Sequence, residues 1–144
     1  MENNCWVLPS GECCDTPPEG FYGFIYKITN LENDWIYIGR KAFEHSQKKA
    51  ISKKARKLSG TRKRVEKVKK DSGWLDYFGS SEYLTKDLEA NGYNCKREIL
   101  KLCKDKTSLN FWEVAYMIEH KVLFRNDCYN GSIGGKYYKN RVHL

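Results

Sequence analysis

"GFIYKITNLENDWIYIGRK", residues 23–41, decides how this chain is read. Two runs within it, FIYKITN and DWIYIGR, are rich in β-branched and aromatic residues, and the polar NLEN between them suits a short loop. The stretch therefore reads as a β-hairpin. A four-residue loop at 30–33 pairs Thr29 with Asp34 and Ile28 with Trp35, and sets Tyr26 directly opposite Tyr37. Directly paired side chains share a face, with Cβ atoms about 5 Å apart, and a slip of one residue would part them. Two phenols on one face are either packing residues or one wall of a site.

The charge distribution bears on that choice. Between Arg40 and Lys70 lie fourteen Lys or Arg against two acids, Glu44 and Glu66, a balance of +12 in 31 residues. The other 113 residues carry twelve basic and sixteen acidic groups, so all the net basicity of this +8 chain sits in one window. Such density suits a polyanion whose counterions it displaces. No apolar run reaches the roughly 18 residues that a membrane span needs. The N-terminus lacks a basic start followed by an apolar stretch, so a secretory signal is not expected. The six cysteines then read as reduced thiols of a cytoplasmic protein. They form no CxxC, and His45, His120 and His143 complete no finger pattern, which leaves only a mixed site at Cys5, Cys13 and Cys14.

Along the chain, residues 1–20 read as an irregular Pro-, Gly- and Cys-rich arm. The main domain spans 21–135 with a basic insertion at 40–70, and a loop-like tail runs over 136–144. Within the insertion, residues 45–60 suit a short helix ended near Gly60, and 61–73 are less regular. Ser81 and Gly92 bracket a helix, CKREILKLC (95–103) reads as a third strand, and the longest helix follows, capped by Thr107 or Ser108. At 100° per residue, Leu109, Trp112, Tyr116, His120 and Leu123 form its apolar stripe. Glu113 falls at the inner edge, where a carboxylate is partly desolvated unless it is paired or metal-bound.

These blocks resemble the GIY-YIG nuclease superfamily. FIY and YIG match its core motif, and FIYKITNLENDWIYIG resembles its first hairpin throughout. GSSEYLTKDLEANGYNCKREILKLC resembles the helix and third strand of homing-type members, LNFWEVAYMI the helix that bears the family's metal-binding glutamate, and CYN its closing loop. The resemblance implies an α+β fold, a small three-stranded antiparallel sheet flanked by helices. It places the metal ligand on Glu113 and the family asparagine on Asn130. The first motif glycine is Phe24 here, with Gly23 one residue earlier. For the family's catalytic arginine, Arg64 lies closest when counted back from GSS, with Arg62, Arg56 and Arg40 as competitors. Where some members carry His or Tyr before the second helix this chain has Gly79, and Tyr77 is the nearest substitute.

The activity so implied is metal-dependent hydrolysis of phosphodiester bonds in double-stranded DNA. Tyr26 would activate or position the water, with Tyr37 beside it. One Mg²⁺, or Mn²⁺ in its place, would sit on Glu113, because a single carboxylate suits an ion that keeps most of its waters. Lys41 and an arginine would supply cations, and Arg40, Lys53, Lys54, Arg56, Arg62 and Lys63 would hold DNA phosphates. The resemblance also suggests a phage origin, hence a host-cell cytoplasm, with specificity drawn from the basic insertion, the N-terminal arm, oligomerisation or a partner. Two rivals predict different behaviour. A non-catalytic nucleic-acid-binding module would bind without cutting, and a thiol- or zinc-based regulator would carry metal at its N-terminal cysteines.

Overall fold

The computed structural model describes residues 4–143. The remainder of the expected N-terminal arm and C-terminal tail, residues 1–3 and 144, lies outside the described residues. In chain order the first elements are β1 (Trp6–Val7), β2 (Cys13–Cys14), β3 (Gly23–Asn30), β4 (Ile36–Ala42), β5 (Glu44–Ala50), α1 (Lys53–Ser59) and β6 (Val65–Asp71). A 3₁₀ turn at Trp74–Asp76 leads to α2 (Glu82–Asn91), β7 (Cys95–Cys103), α3 (Lys106–Glu119), β8 (Ser132–Ile133) and β9 (Tyr137–Tyr138).

The expected antiparallel trio is present: β3 lies between β7 and β4. The sheet is wider than three strands, however, with order β2-β1-β7-β3-β4 and β1 parallel to β7. The N-terminal segment is thus no irregular arm. Strands of two residues carry no periodicity, but Trp6 is fully buried and packs on Phe24 and Tyr26 at centroid distances of 4.9 and 5.3 Å. Its indole N–H donates to the Trp74 carbonyl at 2.8 Å. Cys5 and Cys13 are joined in a disulfide, and Cys14 is a buried thiol. This corrects the expectation of six reduced thiols and removes the mixed cysteine metal site.

The first hairpin is shifted from its expected register. Thr29 pairs with Ile36, Ile28 with Tyr37 and Tyr26 with Gly39. Asp34 takes a left-handed conformation at φ 61°, and the Asn30 N–H bonds the Trp35 carbonyl, so the hairpin closes at Asn30 and Trp35 and its loop is moved on by one residue, to 31–34. Asn30 Oδ1 accepts from the Glu32 N–H and Asn33 Oδ1 from the Trp35 N–H, which holds the loop in that place. A shift of two preserves the faces, since side chains alternate with period two. Tyr26 and Tyr37 therefore stay on one face, diagonal rather than opposite.

The two faces carry separate cores. Phe24, Tyr26 and Ile28 pack with Trp6, Trp74 and the α2 residues Leu84 and Leu88. Ile25, Ile36 and Ile38 pack with Leu109 and Met117 of α3 and with Val122 beyond it. The sheet is thus a middle layer with one helix on each side. Ser81 caps α2 by accepting from the Leu84 N–H, and left-handed Gly92 ends it, as its sequence signals require. On α3 the cap is Asp105, which accepts from the Ser108 N–H at 2.7 Å, and neither Thr107 nor Ser108 caps it. Trp112 is partly exposed and Met117 takes its place in the stripe.

The basic insertion departs most from its reading. β5 and β6 pair over seven residues each as a separate ribbon, with α1 at its far end. Lysine-rich strands show no apolar alternation, so their pairing was not visible in the sequence. The tail is likewise partly ordered, since β8 and β9 pair as a short hairpin.

If the N-terminal strand is part of the core, Trp6→Ala should cost about 3–5 kcal/mol in urea unfolding. A loss under about 1 kcal/mol, the size of a surface change, would show that the segment is only draped on the domain.

Candidate active site

Strand β4 is an edge strand of the five-stranded sheet, and the site is built around that edge. The closing segment covers its first half. Ile36 exchanges backbone bonds with Asp127 and Tyr129, and Asn130 takes over at Ile38. Asn130 Oδ1 accepts from the Ile38 N–H at 2.9 Å while its Nδ2 donates to the Ile38 carbonyl at 2.8 Å. A buried asparagine thus imitates one residue of a strand and ends the cover just before Gly39.

At Gly39 the Tyr26 ring lies across the β4 backbone. A Cβ at Gly39 would stand 2.5 Å from Tyr26 Cζ, closer than real Cβ contacts come, so only glycine admits the phenol. A register irregularity between Ile25 and Tyr26 against β7 accompanies this placement, a bulge of the kind that re-aims side chains beside sites. Three phenols gather here. The Tyr26 hydroxyl donates to that of Tyr77 at 3.4 Å, and the Tyr37 ring centroid is 6.1 Å from that of Tyr26. The Tyr37 hydroxyl is 2.9 Å from Ser80 Oγ, and Lys41 Nζ stands 4.2 Å over the Tyr77 ring.

The opposite face supplies the ionic pair. Alternation puts Ile38 and Arg40 on the side where α3 packs, and Arg40 Nη1 meets Glu113 Oε1 at 3.0 Å. The Glu113 side chain is 14% exposed, as its position at the stripe edge predicts. Burial pushes its carboxyl above the ordinary range, and the Arg40 guanidinium offsets this only partly. Burial likewise raises Tyr37, and raises the 1%-exposed Tyr26 well above the ordinary phenol value. The charge on Glu113 contributes to both rises, so the carboxylate lies within electrostatic range of both phenols.

Of the residues proposed from sequence, Tyr26, Tyr37, Tyr77, Lys41, Arg40, Glu113 and Asn130 converge on this edge. Arg64 does not. It precedes the end of β6 that pairs with Ala50, at the far end of the ribbon from the sheet. Lys53, Lys54, Arg56, Arg62 and Lys63 lie out there with it, on and beside α1.

Sequence reasoning missed Arg97. It is 4% exposed, with its guanidinium between the Trp6 and Phe78 rings, and it donates to the carbonyls of Asn4, Leu75 and Tyr77. Desolvation lowers its pKa to about 10. It fixes the segment that delivers Tyr77. Its only sequence signal was a charge at an alternating inward position of CKREILKLC.

The donor set can be weighed against a divalent ion. Among the described residues no three His, Cys, Asp or Glu gather into a cage. One carboxylate, mostly buried and paired with Arg40, fits an ion of Mg²⁺ type, which keeps most of its waters, and does not fit tetrahedral zinc.

An edge strand carrying YIG, with its glycine crossed by the FIY tyrosine and a helix-borne glutamate beside it, defines a GIY-YIG nuclease fold. A family model described as "Putative endonuclease segE, GIY-YIG domain" matches residues 6–142, and the chain belongs to that family. No curated protein and no solved structure shows a match to it. No helix among the described residues is long and apolar enough to cross a membrane.

The raised Glu113 carboxyl has a measurable consequence. A folded-state pKa above the unfolded one means that the native state binds the extra proton, so stability falls as pH rises through that window. At neutral pH the penalty is fully present, and below the ordinary carboxylate range it is gone. Glu113→Gln should therefore melt at or above the wild-type temperature at pH 7, with the advantage vanishing near pH 4. A variant that is less stable than wild type at pH 7 would contradict the burial argument.

Proposed function

We propose that this chain is a Mg²⁺-dependent endonuclease that hydrolyses phosphodiester bonds in double-stranded DNA at the β4 edge. The observation that carries the proposal is the convergence, across Gly39, of a buried phenol cluster and a mostly buried glutamate from opposite faces of one sheet. Neither face needs the other for packing, since each has its own apolar core.

Glu113 would hold Mg²⁺, or Mn²⁺ in its place, and the bound ion supplies charge neutralisation on the phosphate and the departing oxygen. The remaining work falls to the chain's own groups. Tyr26 keeps its proton at neutral pH, because burial raises it so far, and it is therefore a poor base. With its own hydrogen directed to Tyr77, its oxygen lone pairs are free to accept a hydrogen bond from the attacking water and orient it. Tyr37, bonded to Ser80, lines the same wall.

Arg40 is the guanidinium at the site, and we assign it, in place of Arg64, to the nonbridging phosphate oxygens. Engaging substrate draws Arg40 from Glu113 and frees the carboxylate, so the ion pair is a resting arrangement. Lys41 adds a second cation. Asn130 spends its amide on Ile38, so its role is to hold YIG in place. Arg97 does the same for Tyr77. Lys53, Lys54, Arg56, Arg62 and Lys63, carried outward on the ribbon, would meet phosphates away from the scissile one.

A nicking assay on supercoiled plasmid with Mg²⁺ tests this reading. Wild type should relax or linearise the plasmid, Glu113→Ala and Arg40→Ala should be inactive, and Tyr26→Phe should lose about 10²-fold or more. Arg64→Ala should keep turnover at saturating protein. Binding without cleavage by wild type in both Mg²⁺ and Mn²⁺ would instead mark a non-catalytic module.

A further inference from the structure

The largest feature without a task in this chemistry is the ribbon of β5 and β6. Its strands run outward from Glu44 and Asp71 at the root to Ala50 and Val65, about 24 Å at 3.4 Å per residue. Every residue of both strands is exposed, α1 buries none of its residues, and no other element packs substantially on the ribbon. A lone two-stranded ribbon is marginal in water, so this one is not there to stabilise the fold.

Its charge adds to that cost. From Lys48 to Arg64 the chain carries nine basic residues and no acid. None of the ion pairs among the described residues falls on the ribbon. The register also divides the ribbon into unlike faces. Lys48 stands directly opposite Lys67, with Lys69 on the same face and the acids of that face, Glu44 and Asp71, confined to the root. Like charges directly opposed destabilise a strand pair. On the other face Lys49 opposes Glu66, Gln47 opposes Val68 and, next to the root, His45 opposes Lys70. Beyond the root, then, the first face carries three lysines without an acid and needs an anionic partner, while the outer part of the other face pairs its lysine with Glu66.

We propose that this ribbon lies in the major groove of B-form DNA, with the Lys48, Lys67 and Lys69 face towards the base edges and the Glu66 face outward. The inference rests on the duplex-nuclease reading and names how that substrate is held. A groove about 12 Å wide admits a two-stranded ribbon, and lysines there meet guanine O6 and N7. The deep, narrow major groove of A-form RNA does not admit it, so the ribbon selects DNA over RNA duplexes. The cations of α1 then reach phosphates about two-thirds of a helical turn from the root, at roughly 34 Å per turn.

The test uses the full chain in EDTA, where cleavage is suppressed, and fluorescence anisotropy on a mixed-sequence DNA duplex of about 30 base pairs, near three helical turns. Methyl green, which occupies the major groove, should weaken binding about tenfold, netropsin in the minor groove should leave it nearly unchanged, and the matching RNA duplex should bind about tenfold more weakly. The triple variant Lys48→Gln, Lys67→Gln, Lys69→Gln should lose sensitivity to methyl green. Its plot of log affinity against log salt should be shallower by about two to three, near 0.9 per lost phosphate-equivalent contact. An unchanged melting temperature shows that these exposed substitutions leave the fold intact. Competition by netropsin alone, equal binding of RNA, or an unchanged salt slope in the triple variant would overturn the placement. The nuclease reading fails separately: plasmid left intact while methyl green competes sinks catalysis and keeps the ribbon, and the converse sinks only the ribbon.

Discussion

The structure depends on one close approach, that of the Tyr26 ring to the β4 backbone at Gly39. Any side chain at Gly39 would push the phenol back into the core formed by Trp6, Phe24 and Trp74. With glycine there, a residue of the buried face reaches the sheet edge, where groups from the other face also arrive. The sheet therefore acts as a partition with one gap, and the candidate site residues are gathered at the gap.

Most of the remaining architecture keeps that edge open and rigid. Asn130 occupies the hydrogen-bonding positions of Ile38, so the closing segment stops one residue short of Gly39. Trp6 and Arg97 reach in from the N-terminal strands and β7 to hold the segment that bears Trp74 and Tyr77. That segment follows directly on the root of the ribbon, so the ribbon and the site share one support. Glu113 carries the cost of the arrangement, because burial penalises its carboxylate and the Arg40 guanidinium offsets that only partly. Strain of this sort at a site, offset by packing elsewhere, is the common pattern for enzymes.

The sequence was most legible where local chemistry decides the structure. Ser81 and Gly92 set the ends of α2, CKREILKLC is β7 residue for residue, and the position of Glu113 on α3 followed from helical geometry. The hairpin register was not legible, because it turns on left-handed Asp34, a conformation that asparagine next to it would accept as readily. Trp6 was hidden by the shortness of its strand, and the ribbon by lysines that leave no alternation to read. The distance of Arg64 from the edge was hidden for a different reason. Counting along the chain favoured Arg64, whereas alternation along β4 already put Arg40 on the face where Ile38 meets α3. The disulfide opposed a rule about compartments, which carries no information about geometry.

The central claim is that Tyr26 and Glu113, on opposite faces, serve one site through the gap at Gly39. A double-mutant cycle in single-turnover cleavage, with Tyr26→Phe, Glu113→Gln and the pair together, addresses it most directly. Groups acting on the same step are strongly non-additive, so the double variant should be about as slow as the slower single one. Losses that simply multiply would mean that the phenol and the carboxylate work independently, and that the edge at Gly39 is not a shared active site.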